Sequence, residues 1–156
     1  MREIGGYFEL ENLINNKENI MLLKNILNNL NDNFVPRLSE KVKNFDDYAK
    51  KLLNNAILYQ IKKEGKNIGL LAFYINSETK ISYLTLIVIK NQYQNFGFGK
   101  KLLELYENIS KKEKMNVLKL EVFNKNLKAI NFYKKFGFNL QDKASDESSY
   151  MIKKLN

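Results

Sequence analysis

Tyr83-Leu84-Thr85-Leu86-Ile87-Val88-Ile89-Lys90-Asn91-Gln92-Tyr93-Gln94-Asn95-Phe96-Gly97-Phe98-Gly99-Lys100 is the stretch from which the rest of the fold can be read. Its first seven residues are apolar, branched or aromatic, as in a strand. Its last seven, Gln94 to Lys100, carry two glycines and open an amphipathic pattern. Glycine permits positive φ and close backbone approach to a ligand. The N–H groups of a first helical turn lack intrahelical acceptors and converge on anions. A phosphate-bearing cofactor is therefore the first expectation. Taken alone, a Gln-x-x-Gly-x-Gly string is weak evidence, because it also occurs as a plain helix entry.

Working outward, Phe98, Leu102, Leu105, Tyr106 and Ile109 form an apolar stripe that predicts a helix from Phe98 to about Lys112. Val117 to Phe123 reads as a strand in which Lys119 and Glu121 alternate with Leu118, Leu120 and Val122. Asn126 can cap a helix from Leu127 to Phe136 that Gly137 closes, and Asn139–Lys143 and Ser149–Lys153 read as two closing strands. In the other direction, Lys80–Ile89, Ile68–Ile75 and Ile57–Lys63 are strands separated by the turns Asn76-Ser77-Glu78-Thr79 and Glu64-Gly65-Lys66-Asn67. Asn16 caps a helix ending near Asn31, and Asn44 caps another from Phe45 to about Leu53, with Pro36 in the connection. Tyr7 to Leu10 is a candidate first strand. Three hairpin-linked strands followed by a strand-helix-strand crossover indicate a mixed α/β sheet with helices on both faces.

The 156 residues, 44% of them hydrophobic, suit a single domain. Residues 1–56 would be mainly acceptor-side helices, 57–138 the cofactor-binding core and 139–156 the closing strands. Met1-Arg2-Glu3-Ile4-Gly5-Gly6 lacks the apolar stretch of a leader, and no hydrophobic run is long enough to span a bilayer, so a cytoplasmic protein is expected. Cysteine and histidine are both absent, which removes thiol nucleophiles, disulfides, common zinc sites and the commonest general base. The net charge of +9 rests on 24 Lys and only Arg2 and Arg37. These basic residues are scattered along the chain with 23 Asn, a composition that A/T-rich codons explain without a nucleic-acid partner.

Beginning 27 residues beyond Gly99 is Asn126-Leu127-Lys128-Ala129-Ile130-Asn131-Phe132-Tyr133-Lys134-Lys135-Phe136-Gly137-Phe138, with Leu120-Glu121-Val122 before it. Together with the glycine loop, this segment resembles the GNAT superfamily of acyl-CoA-dependent N-acyltransferases. Their signature is Gln/Arg-x-x-Gly-x-Gly/Ala followed by Asn-x-x-Ala-x-x-(Phe/Leu)-Tyr-x-x-x-Gly-Phe. The resemblance covers about Ile68 to Phe138. It implies a mostly antiparallel central sheet of about six to seven strands and acetyl-CoA as co-substrate, with no metal. By the same resemblance, backbone groups of Ile87, Val88 and Ile89 pair with the pantetheine arm. The amides of Asn95, Phe96, Gly97, Phe98, Gly99 and Lys100 hold the pyrophosphate, and Gln94, which opens the signature, is counted with these cofactor-binding residues. Asn126 matches the asparagine that contacts the cofactor arm, and Tyr133 the tyrosine near the thioester sulfur. Asn91 and Asn95 depart from the proline and the arginine or glycine common in the family, which leaves backbone binding intact.

Acyl transfer to an amine needs a polarised carbonyl, a proton acceptor and a protonated leaving thiolate. The N–H of Ile89 is a candidate for the first. Tyr133 can protonate the sulfur, although its place on a stripe with Leu127 and Ile130 also suits plain packing. Glu121 is the best carboxylate for the amine proton, and its spacing of 12 to Tyr133 resembles that of ribosomal-protein N-terminal alanine acetyltransferases. An alternating-strand glutamate is otherwise simply solvated. The acceptor groove, by the resemblance, is lined by Asn31–Asn44 and by Asp142–Ser149, whose Asp142, Asp146 and Glu147 would favour an ammonium group. Small-molecule amines, amino sugars and peptide or protein N-termini all fit, as does a monomer or homodimer. The rival readings are a non-catalytic acyl-CoA-binding regulatory module and a basic nucleic-acid-binding domain.

Overall fold

Seven strands and four helices follow one another in the computed structural model, which describes residues 7–156; the run Met1 to Gly6, read above for a leader, lies outside the described residues. The order is β1 (Glu9–Asn12), α1 (Lys17–Leu30), α2 (Phe45–Asn55), β2 (Ile57–Lys63), β3 (Lys66–Asn76), β4 (Ile81–Ile89), α3 (Phe98–Lys112), β5 (Val117–Phe123), α4 (Leu127–Lys135), β6 (Asn139–Lys143) and β7 (Ser148–Lys154). The strands form one mixed sheet in the order β1-β2-β3-β4-β5-β7-β6. The crossover through α3 makes β4 and β5 parallel, while β7 runs antiparallel between β5 and β6.

The caps are those the sequence predicts. Asn16 accepts from the Asn19 amide at 2.8 Å and Asn44 from that of Asp47 at 3.0 Å, each satisfying an amide of a first turn. The turn after β2 is tighter than the four residues expected. Glu64 (φ 53°) and Gly65 (φ 77°) are both left-handed, as a two-residue turn matched to strand twist requires, so β3 already begins at Lys66. The first strand lies at Glu9–Asn12 rather than Tyr7–Leu10. It pairs antiparallel with β2 from Glu9↔Lys62 to Asn12↔Tyr59, and polar side chains join the pair: Lys62 meets Glu9 at 3.8 Å and Glu11 at 3.3 Å, and Gln60 Nε2 donates to Glu11 at 2.6 Å. A search for apolar runs does not find a strand held this way.

The chain forms two compact units. Residues up to Ala72 with Leu86–Leu102 make one, and Phe73–Thr85 with Leu103–Asn156 the other. In the first, Leu23, Leu27 and Leu30 of α1, Leu52 of α2, and Leu58, Ile61, Ile68, Leu70 and Leu71 of β2 and β3 are wholly buried. In the second, the buried residues include Phe73, Leu118, Leu120, Phe138, Met151 and Tyr106, whose ring meets Phe73 edge-on at 4.9 Å. Tyr106 also carries a buried polar handle. Its hydroxyl donates to the Ser82 carbonyl at 2.5 Å, and Ser110 Oγ donates to Ser82 Oγ at 2.7 Å, which ties α3 to β4 and leaves these buried polar groups satisfied. No helix among the described residues is long and apolar enough to cross a membrane.

A second tie in this unit runs through Lys153 of β7. Its ammonium meets Glu107 Oε1 at 2.7 Å and donates to the Phe136 carbonyl at 2.8 Å, while Lys111 meets Glu107 Oε2 at 3.0 Å. Burial pushes the Glu107 carboxyl up, but the hydrogen bonds and charges of Lys153 and Lys111 outweigh it and hold the group below its usual 4.5. A folded-state value below the unfolded one adds stability above that value and loses it as pH falls through the folded one. The urea midpoint is therefore expected to drop below about pH 4.5, with a smaller drop in Lys153→Met. At neutral pH that variant should lose about 2 kcal/mol, less than a fully orphaned charge because Lys111 remains.

Candidate active site

In the first unit, the stretch that decides the fold leaves β4 and closes a loop on its own strand. Lys90 N donates to Ile68 O at 2.8 Å, and a short helical turn, Asn91–Tyr93, leads to extended Gln94. The Gln94 side-chain amide then reaches back to the Ile89 carbonyl at 2.9 Å and to Asn91 Oδ1 at 3.2 Å. That contact is a loop-closing role for the Gln94 side chain, which the sequence reading only counts among the cofactor-binding residues. It takes up the Ile89 carbonyl and leaves open the polarising role that the sequence reading expects of the Ile89 N–H. Asn95 (φ 69°) and Gly97 (φ 89°) are left-handed, a conformation that Asn tolerates better than other residues with a Cβ. The first helical bond of α3 runs from Lys101 N to Gly97 O at 3.1 Å. The amides of Phe98, Gly99 and Lys100 thus form the open first turn of a 15-residue helix, with Phe98 buried and Lys100 exposed.

Within this unit, β3 comes unusually close to β4. A Cβ on Gly69 would lie 2.5 Å from the Val88 carbonyl oxygen, 2.7 Å from Ile89 Cδ1 and 3.0 Å from Ile61 Cγ2. Val88 and Ile89 are themselves buried, while Ile87 is half-buried.

In the second unit, the parallel pairing of β4 with β5 covers four residue pairs, from Ile81↔Val117 to Leu84↔Leu120. Beyond it, β4 continues to Ile89, and β5 pairs on with β7 as far as Phe123↔Ser148. Glu121 follows this last parallel pair on an exposed position of β5. Ser148 Oγ, itself buried, donates to Glu121 Oε2 at 2.5 Å. The register sets Tyr83 beside Lys119 and Glu121 beside Tyr150, so these four side chains share one face of three adjacent strands. The Lys119 ammonium lies 4.2 Å over the Tyr150 ring. Burial, then the charge of Glu121 and then Tyr150, push the Tyr83 phenol up to about 12. The alternation in β5 pointed to an exposed Glu121. Ser148, Tyr83 and Tyr150 were not singled out, because serines in a polar turn and tyrosines in a strand carry no spacing signal.

Asn126 caps α4, its Oδ1 accepting from Ala129 N at 3.2 Å, a helix-capping role beside the cofactor contact that the resemblance implies. At the other end of α4, Gly137 (φ 105°) lets Gly137 N bond Lys134 O and Phe138 N bond Tyr133 O, both at 3.0 Å. The same turn brings Phe138 edge-on to Tyr133 at 5.8 Å, the apolar contact that accompanies this type of helix end. Tyr133 is thereby held at both backbone and ring. Burial drives its phenol well above the usual range, so it stays protonated, and a donor, at any physiological pH.

The family model for the acetyltransferase (GNAT) family matches residues 23–138. The chain belongs to the GNAT acetyltransferase family. Solved structures of GNAT acetyltransferases share its fold. The PaiA N-acetyltransferase of Thermoplasma acidophilum, solved with coenzyme A, is 20% identical with a TM-score of 0.75, over 96% of this chain and 99% of that one. The protein PH1933 of Pyrococcus horikoshii is 24% identical with the same score and coverage. A proposed streptothricin acetyltransferase of Bacillus anthracis, solved with acetyl coenzyme A, is 26% identical with a TM-score of 0.60, over 68% of this chain and 67% of that one. Among curated proteins none matches the sequence. In this GNAT acetyltransferase, the residues named from the sequence fall into two groups: Ile87–Ile89 with Gln94–Lys100 in the first unit, and Glu121, Asn126 and Tyr133 in the second.

Proposed function

We propose that this GNAT acetyltransferase is a cytoplasmic enzyme that moves an acetyl group from acetyl-CoA to a primary amine by direct attack in a ternary complex. The observation that carries the reading is the loop. Left-handed Asn95 and Gly97 lead into the open first turn of α3, an arrangement of amides that suits a pyrophosphate. The stretch Ile87 to Ile89, beyond the residues of β4 that pair with β5, would receive the pantetheine arm as an added strand. Acetyl-CoA supplies an activated thioester.

The chain's own residues would do the rest. The Ile89 N–H polarises the carbonyl, Glu121 takes the amine proton, and Tyr133 protonates the departing sulfur. Without cysteine an acyl-enzyme on sulfur is impossible, so initial-rate plots should intersect. The acceptor is an amine carried by a small molecule, an amino sugar or a peptide or protein N-terminus.

Melting curves with acetyl-CoA, CoA and an oligonucleotide test the cofactor assignment. Saturable stabilisation by the CoA species, about 2.7 kcal/mol at a hundredfold excess over Kd, is expected, and no shift with either one overturns it. Thiol release from acetyl-CoA across an amine panel then separates an enzyme from a module that only binds. Tyr133→Phe should slow turnover about tenfold and leave the acetyl-CoA melting shift in place. The loss lies below the usual range for a general acid because a thiol of pKa about 8.5 already leaves well. An unchanged rate would reduce Tyr133 to packing.

A further inference from the structure

Glu121 sits on an exposed position, where water alone would satisfy a carboxylate, yet a buried hydroxyl is aimed at one of its oxygens. Ser148 is 5% exposed, and its Oγ lies 2.5 Å from Glu121 Oε2 and 2.8 Å from Ser145 Oγ. Each hydroxyl has one proton, which fixes the direction of the chain. An ionised carboxylate only accepts, so Ser148 donates to Glu121; Ser145 must then donate to Ser148, and the Glu147 N–H donates to Ser145 Oγ at 3.2 Å. Three donors in series end on Oε2, each polarising the next.

The chain is also held rigidly at its base. Ala144 N and Ser145 N both bond the Ser148 carbonyl, at 2.9 and 3.2 Å, closing the turn between β6 and β7. Asn124 N bonds the Glu147 carbonyl at 2.8 Å, and Ser149 Oγ donates to Asn124 Oδ1 at 2.6 Å, which anchors that turn to the end of β5. Glu121, Phe123 and Ser148 lie on the same face, because Phe123 and Ser148 are register partners and Glu121 is two residues back along β5.

We propose that Ser148, backed by Ser145, is a positioning residue for Glu121. It fixes the carboxylate's rotamer through Oε2 and turns Oε1 toward the acceptor amine. The inference rests on the reading of Glu121 as the base. As the N–C bond forms and the C–S bond breaks, the amine proton passes to Oε1 and the sulfur takes its proton from Tyr133. The serine protons stay where they are. Ser148 thus contributes orientation rather than a proton, and its effect exists only while Glu121 is a carboxylate that works as base.

The test follows thiol release from acetyl-CoA with glycinamide as the acceptor probe and, in parallel, with water alone. Ser148→Ala should lower kcat about tenfold with KM for acetyl-CoA and the melting temperature little changed, and Ser148→Thr should restore most of the rate. Ser145→Ala, one link further away, should show a smaller loss of about threefold. In a Glu121→Gln background, Ser148→Ala should change kcat less than about twofold, because residues that act through one another are not additive. The same tenfold loss in both backgrounds, or a threonine variant as slow as alanine, overturns the positioning role while leaving Glu121 as base. A native rate in Glu121→Gln removes the base, and the positioning role with it.

Discussion

Gly69→Val should yield little folded protein, and Gly69→Ala should lose at least the roughly 1–3 kcal/mol of ordinary overpacking. The reason is what a Cβ would meet. Ile89 Cδ1, at 2.7 Å, ends a flexible side chain and can rotate away, but the Val88 oxygen at 2.5 Å is backbone. It can retreat only if β4 shifts. A chain of this size loses roughly 2–4 °C per kcal/mol, so Gly69→Ala is expected to melt several degrees low. Gly65→Ala is the control: nothing lies within 4 Å of its Cβ, and only the left-handed backbone at φ 77° opposes the substitution, at about 1–2 kcal/mol. A Gly69→Ala chain with native melting would mean that β3 does not press on Val88. The consequence reaches the proposed chemistry, because Val88 belongs to the backbone assigned to the pantetheine arm.

Glu121→Gln should reduce turnover with any accepted amine by about 10²-fold or more while the melting shift given by acetyl-CoA stays within error. Glutamine keeps the size of the side chain and its bond from Ser148, and removes only the ability to take a proton. The residue is exposed, so the substitution carries little stability cost. Full activity would show that the amine loses its proton elsewhere. Tyr83, pushed up to about 12, stays protonated at neutral pH and so offers no basic form to take that proton.

Elements whose formation depends on local chemistry were legible in the sequence. Asn16, Asn44 and Asn126 announce their helices as caps, Gly137 announces the end of α4, and the alternation of Leu118, Leu120 and Val122 with Lys119 and Glu121 sets the faces of β5. The order of strands, helix, strand foretold the parallel crossover. What stayed hidden depends on contacts distant in the chain or on residues that have no unique reason to be where they are. The first strand pairs with Tyr59 to Lys62, about fifty residues away, and its own residues are all exposed. Asn95 adopts a left-handed backbone, but an asparagine does not demand one as a glycine suggests it. Ser148 looks like any serine in a polar turn until 27 residues of separation close onto Glu121. Gln94 matched the signature, yet its side-chain hold on Ile89 depends on how the chain folds back between them.

The place of β7 between β5 and β6 sets a timetable for synthesis. β5 has its parallel neighbour as soon as it is made, but its other edge is covered along all seven residues by a strand that emerges only after α4 and β6. At about 5–20 residues per second, the ribosome needs a few seconds between Phe123 and Lys154, and during them one edge of β5 has no partner. The second unit therefore closes only after Lys154 has been made, and until then that edge of β5 holds backbone N–H and C=O groups without their β7 partners.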